Sequence, residues 1–133
     1  MHTRAKDIMT SELILGHPEM TIEEAIKILV NNRITGMPVI DGNRQIVGVI
    51  SEYDIIRAVE LVEDGVPIDL NRIIQYSHKV VSVSEDTHLT EVLRLFTEKK
   101  IRRLPVVNKK KQLVGIITRR DIMRVLFYSS KTL

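Results

Sequence analysis

A mixed α/β fold assembled from two copies of one small unit is predicted by three observations. The first is an internal repeat. At an offset of 67 residues, "ITGMPVIDGNRQIVGVISEYDIIRA" (34–58) aligns without a gap on "IRRLPVVNKKKQLVGIITRRDIMRV" (101–125), and ten of the 25 positions are identical. The second is helical periodicity upstream of the aligned block in both copies. The third is a pair of short Val- and Ile-rich runs, separated by a polar turn, within each copy.

The elements follow in order. In "TIEEAIKILVNNR", Ile22, Ala25, Ile26, Leu29 and Val30 recur at i, i+3, i+4, i+7 and i+8, which predicts an amphipathic helix. Thr21 followed by Glu24 supplies a capping box. The matching segment "HLTEVLRLFTEKK" places Leu89, Val92, Leu93 and Phe96 on one face, with Thr87 or Asp86 as its cap. Strands are predicted at Met37–Ile40 and Leu104–Val107, turns at "DGNR" and "NKKK", and second strands at Ile46–Ile50 and Leu113–Ile117. A second helix is predicted to begin near Ser51 in one copy and Thr118 in the other.

Each repeat therefore reads as helix, strand, strand, helix, with 1–62 as the first repeat, 63–79 as a connecting segment and 80–130 as the second repeat. A lone unit with so small a sheet is marginal, so the two copies are expected to pack sheet to sheet across a pseudo-two-fold axis within one module.

Composition narrows the function classes. At 133 residues, with 44% apolar residues and a mean hydropathy of zero, the chain has the length and composition of one soluble globular domain. No apolar run approaches the ~18 residues of a membrane span, and "MHTRAKDIMT" lacks the apolar stretch of a signal peptide. The absence of Cys excludes disulfides and thiolate metal sites and points to a cytoplasmic location. Residues 1–66 carry eleven acids and six Lys or Arg, whereas 67–133 carry fourteen Lys or Arg and six acids, so the second half is the one to attract anions.

"VGVISEYDI" (47–55) and "VGIITRRDI" (114–122) carry the chemistry, and they admit two readings. Ser51 with Asp54, and Thr118 with Asp121, have the spacing of a helix N-cap, while Gly48 and Gly115 fit a bulge or a close strand contact. The same atoms also describe a nucleoside site. A carboxylate at a helix start accepts two vicinal ribose hydroxyls, a glycine admits a flat base, and Arg103, Arg119 and Arg120 supply phosphate contacts.

Other chemistries find no support. The histidines at 2, 17, 78 and 88 lack ligand spacing, so no metal site is expected; no nucleophile–base set, P-loop or G-x-G-x-x-G occurs, so no enzyme activity is expected. Lys109–Lys111 reads as a solvated turn. Nucleic acid is a minor alternative, because no Trp and five Tyr and Phe in all make no stacking platform. Met123, Leu126, Phe127 and Tyr128 read either as core or as a dimer seam.

The ordered set "DIMT" (7–10), "TIEEAIKIL" (21–29), "GMPVID" (36–41) and "VGVISEYDI", with the partners "RLPVV" and "VGIITRRDI", resembles a tandem pair of cystathionine-β-synthase-type (CBS) domains, a Bateman module. The resemblance covers nearly the whole chain. It implies a regulatory, non-catalytic module that requires no cofactor. Such modules bind AMP, ADP, ATP or S-adenosylmethionine in clefts between the repeats, and they often form homodimers.

Carried over by position, Asp54 and Asp121 hold ribose hydroxyls beside Ser51 and Thr118, the backbone at Gly36–Met37 and Arg103–Leu104 frames the base or phosphate, and Arg102 and Arg103 occupy a basic phosphate slot. Because Arg102, Arg103, Arg119 and Arg120 all belong to the second copy, the Asp121 cleft is expected to be the better one for a phosphorylated ligand. No effector domain is recognised, so the regulated partner is expected to be another chain, unless the sequence is a piece of a longer protein. A ligand-free dimerisation or docking module is the alternative.

Overall fold

The Thr21–Glu24 spacing closes a complete capping box: Glu24 N–H donates to Thr21 Oγ1 at 3.1 Å, and Thr21 N–H donates to Glu24 Oε1 at 3.3 Å. In the computed structural model, which describes residues 2–60 and 64–131, this box starts the second of five helices among the described residues. The elements are α1 (Ala5–Ile8), α2 (Ile22–Asn32), β1 (Gly36–Ile40), β2 (Ile46–Ser51), α3 (Glu52–Glu60), β3 (Val83–Ser84), α4 (Leu89–Lys99), β4 (Arg103–Val107), β5 (Leu113–Thr118) and α5 (Arg119–Lys131).

Both predicted hairpins form. β1 pairs antiparallel with β2, and β4 with β5, each with a register shift before its last pair. The repeat extends to the backbone angles, since Arg33 and Lys100 close their helices in the left-handed region, and Arg44 and Lys111 adopt it in the turns. The α4 cap differs from the expected Thr87 or Asp86. It is His88, whose ring nitrogen accepts from Thr90 N–H at 3.2 Å.

The contacts partition the chain into two compact units, Ile14–Val80 and Met1–Leu13 with Val81–Leu133. This partition differs from chain order. The segment at 4–10 joins the unit of the second hairpin: Thr10 N–H donates to Ile116 O at 2.8 Å, and Ile116 N–H returns to Thr10 O at 3.0 Å. The segment at 72–79 docks on the first hairpin, where Val49 N–H donates to Ser77 O at 3.0 Å. The 62/63 boundary of the sequence division lies outside the described residues. β3 runs parallel to β4, and Gly16, 67 residues before Val83, bridges Val39 in the same way.

Each unit has its own core. One gathers Met20, Ile22, Ala25, Leu29, Met37, Val39, Ile50 and Ile74. The other gathers Ala5, Ile8, Val83, Leu89, Val92, Leu95, Leu104, Val106, Ile117 and Ile122. Val30, expected on the apolar face of α2, is instead exposed, because it lies at the margin of that stripe. Met123, Leu126, Phe127 and Tyr128 are also exposed, which removes the core reading for them: α5 turns this stripe away from its own unit.

Candidate functional site

β2 and β5 each run straight into a helix, so a hydroxyl residue ends the strand and an acid falls in the first helical turn. Ser51 closes β2, and Asp54 follows in α3. Asp54 Oδ2 accepts from Ser51 N–H at 2.7 Å and from Ser51 Oγ at 3.1 Å. Thr118 closes β5, and Asp121 Oδ2 accepts from Thr118 N–H at 2.8 Å and from Thr118 Oγ1 at 3.1 Å. The acid thus reaches back to the strand-end residue in both units, and at Thr118 the hydroxyl also caps the helix, its Oγ1 accepting from Asp121 N–H at 3.3 Å.

The register places the remaining residues. Gly36 pairs with Ser51, and Arg103 with Thr118, so the expected backbone segments lie beside each hydroxyl–acid pair. Met37 and Leu104 are fully buried, backbone and side chain alike. Arg102, Arg119 and Arg120 are exposed and form no ion pair among the described residues, leaving their charge available to an anion. Arg103 is half-buried.

The acids differ in their surroundings. Asp121 is 3% exposed, and its Oδ1 accepts from Thr10 Oγ1 at 3.1 Å and from Arg124 Nη1 at 3.2 Å. Asp54 is half-buried and receives only the two Ser51 donors among the described residues.

Sequence reasoning missed Met9, Thr10, Tyr76 and Ser77. A Cβ on Gly48 would lie 2.5 Å from Tyr76 Cε2 and 2.6 Å from Ser77 O, and one on Gly115 would collide with Met9 Sδ. The glycines therefore serve close contacts within the chain, the first of the two readings that the sequence left open. The signal was available. Carried upstream, the 67-residue offset pairs Met9 with Tyr76 and Thr10 with Ser77, although neither pair is identical.

A separate cavity of about 720 Å³ lies by the β4–β5 turn, bordered by Lys6, Ser84, Asp86, Lys109 and Lys111, and it includes none of the expected site residues. Lys6 pairs with Asp86 at 3.3 Å. Among the described residues no three His, Cys, Asp or Glu side chains cluster as metal ligands, and no helix is long and apolar enough to cross a membrane.

Comparison with known proteins gives solved structures of the same fold. CBSX2 of Arabidopsis thaliana, in a crystal structure with AMP, superposes with a TM-score of 0.78 at 31% identity, covering 96% of this chain and 98% of that one. The CBS domain pair of protein MJ0100, in complex with 5′-methylthioadenosine and S-adenosylmethionine, gives 0.77 at 29% identity, covering 97% and 99%. An uncharacterised 17.7 kDa protein of Acidianus ambivalens is 32% identical over 127 residues, which are 95% of this chain and 74% of that protein. Some relatives are enzymes that carry the module as a fraction of their length. Inosine-5′-monophosphate dehydrogenase of Methanocaldococcus jannaschii is 32% identical over 125 residues, but the chain spans 23% of it. The CBS domain family model matches twice, at residues 5–61 and 72–128, and the chain belongs to that family as a tandem CBS pair.

Proposed function

We propose that this chain is a non-catalytic cytoplasmic sensor module that binds an adenosine-containing ligand, AMP, ADP, ATP or S-adenosylmethionine, at one or both strand–helix junctions. The observation that carries this reading is the duplicated carboxylate, held by a hydroxyl residue at the end of a strand and the start of a helix. An ionised carboxylate is acceptor-only, which suits it to the two hydroxyls of a ribose. Arg102, Arg103, Arg119 and Arg120 stand near the second junction to meet phosphate. The AMP complex of CBSX2 and the S-adenosylmethionine complex of MJ0100 support the ligand class.

Ligand binding shifts the population of module conformations by its differential affinity for them, and so changes the surface offered to a partner. The exposed stripe of Met123, Leu126 and Phe127 on α5 supports a homodimer as that partner. The test is a thermal melt against AMP, ADP, ATP, S-adenosylmethionine, NAD and GTP. A ligand at a hundred times its dissociation constant stabilises by about 2.7 kcal/mol, a shift of several degrees. A shift confined to adenosyl compounds supports the reading, and a flat panel overturns it.

A further inference from the structure

The two carboxylates occupy equivalent positions in the repeat but have unequal capacity to bind anything further. A carboxylate offers about four lone-pair sites. At Asp121 all are in use: Thr118 N–H and Thr118 Oγ1 donate to Oδ2, and Thr10 Oγ1 and Arg124 Nη1 donate to Oδ1. At Asp54 only Oδ2 is engaged, by Ser51, and Oδ1 receives no donor among the described residues.

The difference has two independent causes in sequence. Thr10 corresponds at the 67-residue offset to Ser77, whose hydroxyl accepts from Lys79 N–H at 3.2 Å and makes no bond to Asp54 among the described residues. Arg124 corresponds to Arg57, the same residue type, yet Arg57 does not reach Asp54. Its guanidinium lies over the Tyr53 ring, 5.9 Å from the centroid. The counterpart of Tyr53 is Arg120, which has no ring to hold Arg124, so that guanidinium turns to the carboxylate.

We propose that the two junctions are specialised: Asp54 receives the vicinal hydroxyls of a ribose, and Thr10 and Arg124 withdraw Asp121 from that role by filling its second oxygen. This deepens the adenosyl-ligand reading and rests on it. It also reverses, for the ribose, the order of sites that the arginine count suggests. A diol entering at Asp121 must displace a hydroxyl and a charge-assisted guanidinium bond, whereas at Asp54 it meets an oxygen with both lone pairs available. Thr10 and Arg124 thereby decide which site is open without touching the ligand.

The experiment is calorimetric titration with adenosine, an uncharged probe to which the arginines add no phosphate contact. Wild type should bind one adenosine per chain. Asp54→Asn, which keeps an acceptor for Ser51, should weaken binding by about tenfold to a hundredfold. The double variant Thr10→Val with Arg124→Ala, both changes at partly exposed side chains, should raise the stoichiometry to two. Binding unchanged in Asp54→Asn, two equal sites in wild type, or a stoichiometry that stays at one in the double variant overturns the specialisation while leaving the ligand class intact. A wild type that binds no adenosine and gives a flat melt panel overturns the functional reading, and the specialisation falls with it.

Discussion

Tyr76 fills the space that a side chain on Gly48 would need: a Cβ there would sit 2.5 Å from its ring edge and 2.6 Å from the Ser77 carbonyl oxygen. A backbone carbonyl cannot rotate aside as a flexible side chain can. Gly48→Ala is therefore expected to destabilise by about 1–3 kcal/mol, as overpacking does. Gly115→Ala, facing mainly the adaptable Met9 side chain, should lose less. Urea unfolding of the two variants checks the order.

Removal of the two acids should separate their structural roles. Asp121→Ala removes a buried carboxylate that accepts from Thr118 N–H and from three side-chain donors, whereas Asp54→Ala affects Ser51 alone. The expected penalty is larger for Asp121→Ala, by about 1–3 kcal/mol. Equal unfolding midpoints would contradict the bonding described.

Ile74 lies in the stretch that the sequence reads as a connection, yet it is only 2% exposed and belongs to the core around Met37 and Ile50. Ile74→Ala should cost about 2–5 kcal/mol, the penalty of a true core position. A solvent-borne linker would lose almost nothing in the same denaturation experiment.

Glu24 gives an acid-side signature. The Thr21 N–H, then the Thr21 hydroxyl, then His17 hold its carboxyl below the usual glutamate range. A depressed folded-state pKa contributes stability that is fully present above the unfolded value of about 4.3 and is lost as pH falls through the folded value. Glu24→Gln should thus reduce stability at pH 7 while differing little from wild type at the acid end. Melting curves across that range read the convergence.

The exposed stripe on α5 predicts an association phenotype. Phe127→Asp places a charge on an apolar surface of the single chain, so it should leave the unfolding of the monomer nearly unchanged while weakening a homodimer. Sedimentation of wild type and variant over a concentration series distinguishes the two, and identical profiles would rule out α5 as a self-association surface.

Much of this architecture is legible in the sequence because the repeat reports each element twice. The Thr21 capping box, both hairpins and the starts of α3 and α5 follow from spacing alone. The hydroxyl–acid pairs at Ser51 and Thr118 were legible too, since their hydrogen bonds are local, three residues apart. What escaped is non-local. β3 has two residues and gains its strand character only from β4. Thr10 meets Asp121 across 111 residues, a contact that no window of periodicity encodes. His88 caps α4 although Asp86 and Thr87 are the more usual types, because the helix begins at Leu89 and the cap must immediately precede it.

The exchanged terminal segment has a consequence for the order of assembly. Ile14–Val80 is continuous, so everything it needs has been synthesised once residue 80 is available. The other unit draws on both ends of the chain: Ala5 and Ile8 belong to the core of Val92, Leu104 and Ile117. Closing so long a loop carries an entropic cost before any contact forms, which slows nucleation. The segment at 4–10 must therefore wait for β5 and the start of α5 before it is protected. In pulse-labelled amide exchange during refolding, protection at Val49 should precede protection at Thr10 and Ile116.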